Sequence, residues 1–250
     1  MLYNILAVGD VVGGCGVSHL ERHLRAVKKL KNIHFTVVNG ENAAMVGLTA
    51  DDAERIFAAG ADVITLGNHS FGKMQITDYL DDCPYILRPH NLGARVPGRG
   101  YGVFDCGRAR IAVMNLIGRC DLAFHADSPF KTADELLKND EKPTFTLLDF
   151  HAEATSEKLA MAYYLDGRVS AVWGTHTDVP TADTMILPQG TGYVTDLGMT
   201  GPRDSVLGIR PELSIRRFRG DLPSRYEPAP GPCKLEACLF TIDDATGRCT

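Results

Sequence analysis

Carboxylates, carboxamides and imidazoles recur in this 250-residue chain at one kind of place, the turn that follows an apolar, strand-like run. Asp10 ends LYNILAVGD, Glu41 and Asn42 end FTVVNGEN, and Asn68 and His69 end DVITLGNH. His151 ends TFTLLDFH, and His176 and Asp178 close VSAVWGTHTD. In an open α/β sheet the loops at the carboxyl ends of the strands meet in one crevice, so residues distant in sequence share a small volume. Carboxylate and amide oxygens mixed with imidazole nitrogen suit one or two divalent cations. Metal-dependent hydrolysis is the expected chemistry.

Each residue alone has a blander role. Asp10 could cap a helix, Glu41, Asn42 and Asn68 could be turn residues, and a single histidine after a strand is more often structural than a ligand. Five such coincidences on one sheet edge are improbable, which reverses the judgement for the set. His19, His23, His34, His90 and His125 do not share the placement and are expected to be structural or solvated. Trp173, inside a strand-like run, is expected in the core.

The elements that must position these turns follow from periodicity. Residues 1–180 alternate strand-like runs with helical patterns, the signature of a sheet covered by helices. Leu20, Leu24, Val27 and Leu30 fall at helical spacing between Val17 and Leu30. Thr49 with Asp52 forms a capping box for a helix that Gly60 stops, and Thr155 is expected to cap the helix SEKLAMAYYL. YGVFDCG and ARIAVMNLI read as a hairpin turning at Gly107-Arg108, with another helix within 129–142 and a final hairpin, KLEACLFTI, turning at DDATG. Eight of the 13 prolines lie from Pro180 onward, and DLPSRYEPAPGP reads as a loop. No repeat or second-domain boundary emerges, so residues 1–250 are expected to form one α/β domain.

Bulk properties narrow the partners. A hydrophobic content of 44% and a charged content of 23% are those of a soluble globular protein. The net charge of −5 argues against an extended nucleic-acid surface but leaves room for a small phosphate-bearing ligand. The N-terminal apolar stretch is too short for a signal sequence, and no run is long enough for a membrane span. Seven cysteines without a C-x-x-C read as reduced thiols, several of them buried in strands, and a cytoplasmic location is expected. The GDVVGGCG turn suggests a dinucleotide loop, but His19 stands where the third glycine belongs. An NAD-dependent oxidoreductase therefore fits poorly and leaves the later histidines unused.

The series GDVVG, NGENAA, GNH, DFHAEATSEK, GTHTDVPTAD and TDLGMTGPRDSVLG, spanning Asp10 to Gly208, resembles the YmdB-like branch of the calcineurin-like metallophosphoesterases. The resemblance implies a metallophosphoesterase-type sandwich of β-sheets flanked by helices and a binuclear centre of two divalent ions, Mn or Fe ahead of Mg or Zn. It also implies phosphodiesterase activity on 2′,3′-cyclic nucleotides such as 2′,3′-cAMP, and is compatible with a homo-oligomer. By position it makes Glu41 the bridging carboxylate, Asp10 and Asn42 ligands of the first metal, and Asn68, His151 and His176 ligands of the second. His69 would contact the phosphate, stabilising its charge or protonating the leaving oxygen. Two cations about 3.5–4 Å apart would clamp phosphate oxygens and activate water.

Three positions depart from the family pattern. Asp178 replaces the final histidine of GTHTH; as a ligand it would make the first site all oxygen, favouring Mn²⁺ or Mg²⁺ over zinc. Met45-Val46-Gly47 replaces a glycine-rich stretch, and Ser70-Phe71-Gly72 lacks a tryptophan and an aspartate. These departures keep a second reading open, a catalytically weakened relative that binds nucleotide or protein as a regulator. Phosphomonoesters are a rival substrate, and Arg203 is read either as a phosphate or base contact or as a salt-bridge residue.

Overall fold

The computed structural model describes residues 1–122, 125–138, 141–222 and 224–250. Two sheets stack face to face. The first runs in the order Ala237–Asp243, Leu2–Val8, Phe35–Asn39, Val63–Thr65, Ile86–Leu87, with only the Ala237–Asp243 pairing antiparallel. The second runs Met185–Ile186, Gly192–Val194, Ala171–Thr175, Phe145–His151, Ala109–Ile117, Tyr101–Cys106, parallel in its interior and antiparallel at both edges. A small third sheet joins Cys233–Lys234, Met199–Pro202 and Asp10–Val11.

Alternation along each strand builds the layers, because successive side chains point to opposite faces. Ile5, Ala7 and Val37 meet Ile111, Val113, Leu147 and Trp173 in the core between the sheets. Their neighbours Leu6, Val8 and Val38 turn the other way, onto Leu20 and Leu24 of the helix Gly13–Leu30 and Ala53 and Ile56 of the helix Ala50–Ala59. Leu148 and Phe150 likewise face Met161, Ala162 and Leu165 of the helix Thr155–Leu165. The result is helix, sheet, sheet, helix.

Several expectations hold. Thr49 caps its helix by accepting from the Asp52 N–H at 3.1 Å, and Gly60 ends it in the left-handed region. The hairpin at Gly107 forms with Gly107 at φ +64°. Trp173 is buried.

Other expectations are corrected. Thr155 is the first helical residue rather than the cap; the cap position is Ala154, without a side-chain bond. The first helix starts at Gly13, four residues early, and Gly16 within it serves close packing rather than a loop. A Cβ on Gly16 would lie 2.4 Å from the Thr200 carbonyl oxygen. Leu30, at that helix's last turn, is exposed. The fourth helix spans Pro129–Leu137, and the expected extension over 139–140 lies outside the described residues. KLEACLFTI divides between two sheets, and the DDATG turn is closed by the single bridge Ile242–Cys249. All seven cysteines are free, and none is fully buried.

Candidate metal centre

At the carboxyl end of Phe35–Asn39 the chain places Glu41, 1% exposed, beneath the turn that carries His69. Its carboxylate accepts from the His69 backbone N–H at 3.2 Å and lies 3.3 Å from His151 Nε2 and 3.4 Å from His69 Nδ1. Burial by itself would raise the Glu41 carboxyl, but the His151 and His69 imidazoles outweigh it and hold it well below the usual carboxylate range. The Gly67–Ser70 turn follows Val63–Thr65 and is closed by Ser70 Oγ donating to the Gly67 carbonyl at 2.6 Å. Within it Asn68 Oδ1 meets His151 Nε2 at 2.8 Å, and His69 Nδ1 meets Asn42 Oδ1 at 2.9 Å.

His176 completes the cluster. Its Nδ1 is 3.2 Å from His151 Nε2, and the ligand atoms of Glu41, His151 and His176 all lie within 4.8 Å of one another. Both His176 (φ +103°) and Asp178 (φ +62°) are left-handed, a strain of about 1–3 kcal/mol per residue that surrounding contacts must offset. They do: the His176 N–H donates to Asp10 Oδ2, and the Thr177 N–H donates to Asp196 Oδ2, each at 3.2 Å. Asp196 in turn is paired at 2.7 Å with Lys158, both side chains 1% exposed.

Asp10 and Asp178 flank the cluster, and each leaves a buried Oδ1 without any partner among the described residues. Burial, reinforced by Asp178 and Glu41, raises the Asp10 carboxyl well above its ordinary value. Burial, reinforced by Glu41 and Asp196, pushes Asp178 up to about 8. Burial and His151 push the His176 imidazole down to about 4. Asp10 and Asp178, buried carboxylates that repel each other and each leave an oxygen unpartnered, thus sit beside a His176 imidazole that resists protonation, a local deficit of positive charge. A divalent cation fits that deficit, and the mixed oxygen and nitrogen donor set suits it. All eight residues named from the sequence are thus brought to one end of the two sheets.

Sequence reasoning missed the support beneath them. Asp149, fully buried, accepts from the Thr175 hydroxyl at 2.7 Å, from Asn39 Nδ2 at 3.2 Å and from the Thr65 hydroxyl. Thr175 has one hydroxyl proton, and giving it to Asp149 leaves Oγ1 to accept from His151 Nδ1 at 2.9 Å. With Nδ1 engaged by Thr175, Nε2 is the ring atom that His151 turns toward Glu41, Asn68 and His176, and the one it could offer to a metal. The signal was present: Asp149 stands two residues before His151, on the same strand face, as a lone carboxylate inside an apolar run.

Asp149→Asn should disturb this relay, because an amide placed against Thr175 can turn the hydroxyl toward His151. Mn²⁺ affinity should fall about 10–100-fold, and nitrogen NMR of the metal-free protein should show the His151 proton moved to Nε2. Unchanged affinity and tautomer would remove Asp149 from this role.

The departures at positions 46 and 72 are coupled. A Cβ on Gly72 would lie 2.9 Å from Val46 Cγ1 and 3.1 Å from the His69 carbonyl oxygen, so Val46 occupies the space a side chain at 72 would need. Arg203 is exposed and pairs with Asp204 at 3.0 Å, which favours the salt-bridge reading.

Two stacked sheets flanked by helices, with turns bearing Asp, Glu, Asn and His converging at one end, define a metallophosphoesterase-type protein. The chain belongs to the YmdB-like protein family, whose model matches residues 6–250. It is 47% identical over 246 residues to the 2′,3′-cyclic-nucleotide 2′-phosphodiesterase of Bacillus subtilis, covering 98% of this chain and 93% of that one. A crystal structure of a phosphatase from Mycoplasma pneumoniae superposes with a TM-score of 0.93 at 33% identity, covering 100% of this chain and 91% of that one. The 5′-nucleotidase of Candida albicans shares the fold at 12% identity, with a TM-score of 0.54 over 97% of this chain and 51% of that one. No helix among the described residues is long and apolar enough to cross a membrane.

Proposed function

We propose that this protein is a metal-dependent phosphodiesterase that opens 2′,3′-cyclic nucleotides such as 2′,3′-cAMP. The observation that carries the reading is the convergence of Glu41, His151 and His176 beneath His69, in a chain 47% identical to a phosphodiesterase of that specificity. Asp10, Glu41, Asn42 and Asp178 would hold one divalent ion, and Glu41, Asn68, His151 and His176 a second. When bound, such ions supply Lewis acidity toward phosphate oxygen and water. The donor set fits manganese or iron.

The chain's own residues manage the proton. Hydrogen bonding to Glu41, working against burial, raises the His69 pKa above its ordinary value. His69 Nδ1–H is spent on Asn42 Oδ1 and Glu41 Oε1, while the side chain keeps 36% of its surface exposed. Nε2–H is then free to face substrate. Hydrolysis forms one P–O bond from water and breaks the bond to the ribose 2′ oxygen, which takes its proton from His69 Nε2. The attacking water releases a proton to solvent, the ring regains its Nε2 proton from solvent, and Glu41, accepting from Nδ1–H throughout, favours that charged form.

His69→Ala should lower kcat for 2′,3′-cAMP about 10²–10⁴-fold, the span of a lost general acid, with bound metal unchanged by elemental analysis. Equal activity in the variant would remove His69 from proton transfer. The orphaned Asp178 Oδ1 supports its ligand role over a weakened centre. Asp178→Ala should release or weaken one of the two ions in a metal titration, and unchanged stoichiometry and affinity would exclude the role.

A further inference from the structure

Beside the His69 turn lies a cleft of about 550 Å³ that the mechanism leaves unused. Met45, Val46 and Pro228 give it an apolar wall, Tyr226 lines it with an aromatic ring, and Lys73 and Arg225 bring two cations to it. It adjoins the metal-centre turns through short links. The Met45 N–H donates to the Asn42 carbonyl at 2.8 Å, and the Gly72 N–H, next to Lys73, donates to the His69 carbonyl at 2.8 Å. The Tyr226 ring is fixed by Arg217, whose guanidinium sits 5.1 Å from the ring centroid and donates to the Tyr226 hydroxyl at 3.0 Å.

Charge sets the class of ligand. Glu227, the acid lining the cleft, is engaged by Arg210 at 3.3 Å. Among the described residues no ion pair or side-chain hydrogen bond engages Lys73 or Arg225, so both positive charges remain available. The size falls within the roughly 300–1,000 Å³ of small-ligand sites. An aromatic and apolar wall suits a nucleobase, and free cations suit a phosphate. In a ribose the ring carbon that bears the 5′ substituent is bonded to C3′, which carries one oxygen of the 2′,3′-cyclic phosphate, so an anchor for a 5′ phosphate belongs beside the site for the cyclic one.

Resting on the phosphodiesterase reading, we propose that this cleft is a subsite for a nucleoside 2′,3′-cyclic phosphate that also carries a phosphate at its 5′ oxygen. Tyr226 and Met45 flank the base, and Lys73 and Arg225 hold the 5′ phosphate. The shared chemistry occurs in a free 5′-phosphorylated mononucleotide and at the 3′ end of a short RNA. The net charge of −5 gives no extended surface for a longer polyanion.

The test compares kcat/KM of the Mn²⁺-loaded protein on 2′,3′-cAMP, on its 5′-phosphorylated form and on a diadenosine ending in a 2′,3′-cyclic phosphate. At least a tenfold advantage for a 5′-phosphorylated substrate is expected. In the Lys73→Ala/Arg225→Ala double variant the ratio should fall to near one. An advantage for the mononucleotide identifies the free nucleotide as ligand, and one confined to the diadenosine identifies an RNA end. Equal rates on all three substrates, or a ratio the double variant leaves intact, would overturn the subsite alone. Hydrolysis of none of the three would overturn the phosphodiesterase reading and the subsite with it.

Discussion

Glu41→Gln is expected to lower turnover of 2′,3′-cAMP by at least about 10³-fold, roughly 4 kcal/mol of transition-state stabilisation. One carboxylate faces His151 Nε2 at 3.3 Å and His69 Nδ1 at 3.4 Å, and it accepts the His69 backbone N–H. The amide is close in shape but uncharged, and its NH₂ cannot accept from His69. The variant thus removes the charge that would bridge two cations and the one that keeps His69 protonated. Because Glu41 is 1% exposed, water cannot substitute for the missing charge. Kinetics alongside elemental analysis should find activity and bound metal reduced together. Activity within tenfold of wild type at full metal content would contradict this placement of Glu41.

Gly67→Ala should be nearly as damaging through packing alone. A Cβ there would sit 2.1 Å from Glu41 Oε2 and 2.3 Å from His151 Nε2. Neither side chain can retreat: His151 is fully buried and tethered to Thr175, and Glu41 is enclosed. The backbone at Gly67 must shift, displacing Asn68 and His69 with it. A loss of at least about 10²-fold in activity is expected, as small misplacements in a site cost that much. The overpacking should also destabilise the fold by about 1–3 kcal/mol, read as a lower Tm. Gly14→Ala, where a Cβ meets nothing within 4 Å, is the control and should melt as wild type does. Wild-type activity in Gly67→Ala would show that the turn and the Glu41 and His151 side chains are not in this contact.

What was legible in the sequence was the rim of the candidate site. Asp10 and His151 stand at strand ends, and Glu41, Asn42, Asn68, His69, His176 and Asp178 in the turns after strands, where a reactive side chain is conspicuous against the apolar run before it. The supports were hidden because they lie inside strands and helices that read as core. Asn39, Thr65, Asp149 and Thr175 occupy single positions in apolar runs, and only their joint hydrogen bonding shows that they act together. Lys158 had its own signal: it shares the helix face of Met161, Ala162 and Leu165, so a cation there must find a buried anion, which is Asp196.

The division into two sheets was less legible. Alternation marks a strand and its faces but does not name its neighbour. The antiparallel pairing of Ala237–Asp243 with Leu2–Val8 joins opposite ends of the chain and depends on long-range register. The Gly67 contact was equally hidden, since a glycine needed for close approach looks in sequence like any turn glycine.

The most direct test of the central claim is hydrolysis of 2′,3′-cAMP by protein stripped with chelator and then reloaded with Mn²⁺. The stripped protein should be inactive, and activity should return in proportion to bound metal up to two ions per chain. Undiminished activity in the metal-free protein, or none with two ions bound, would contradict the account.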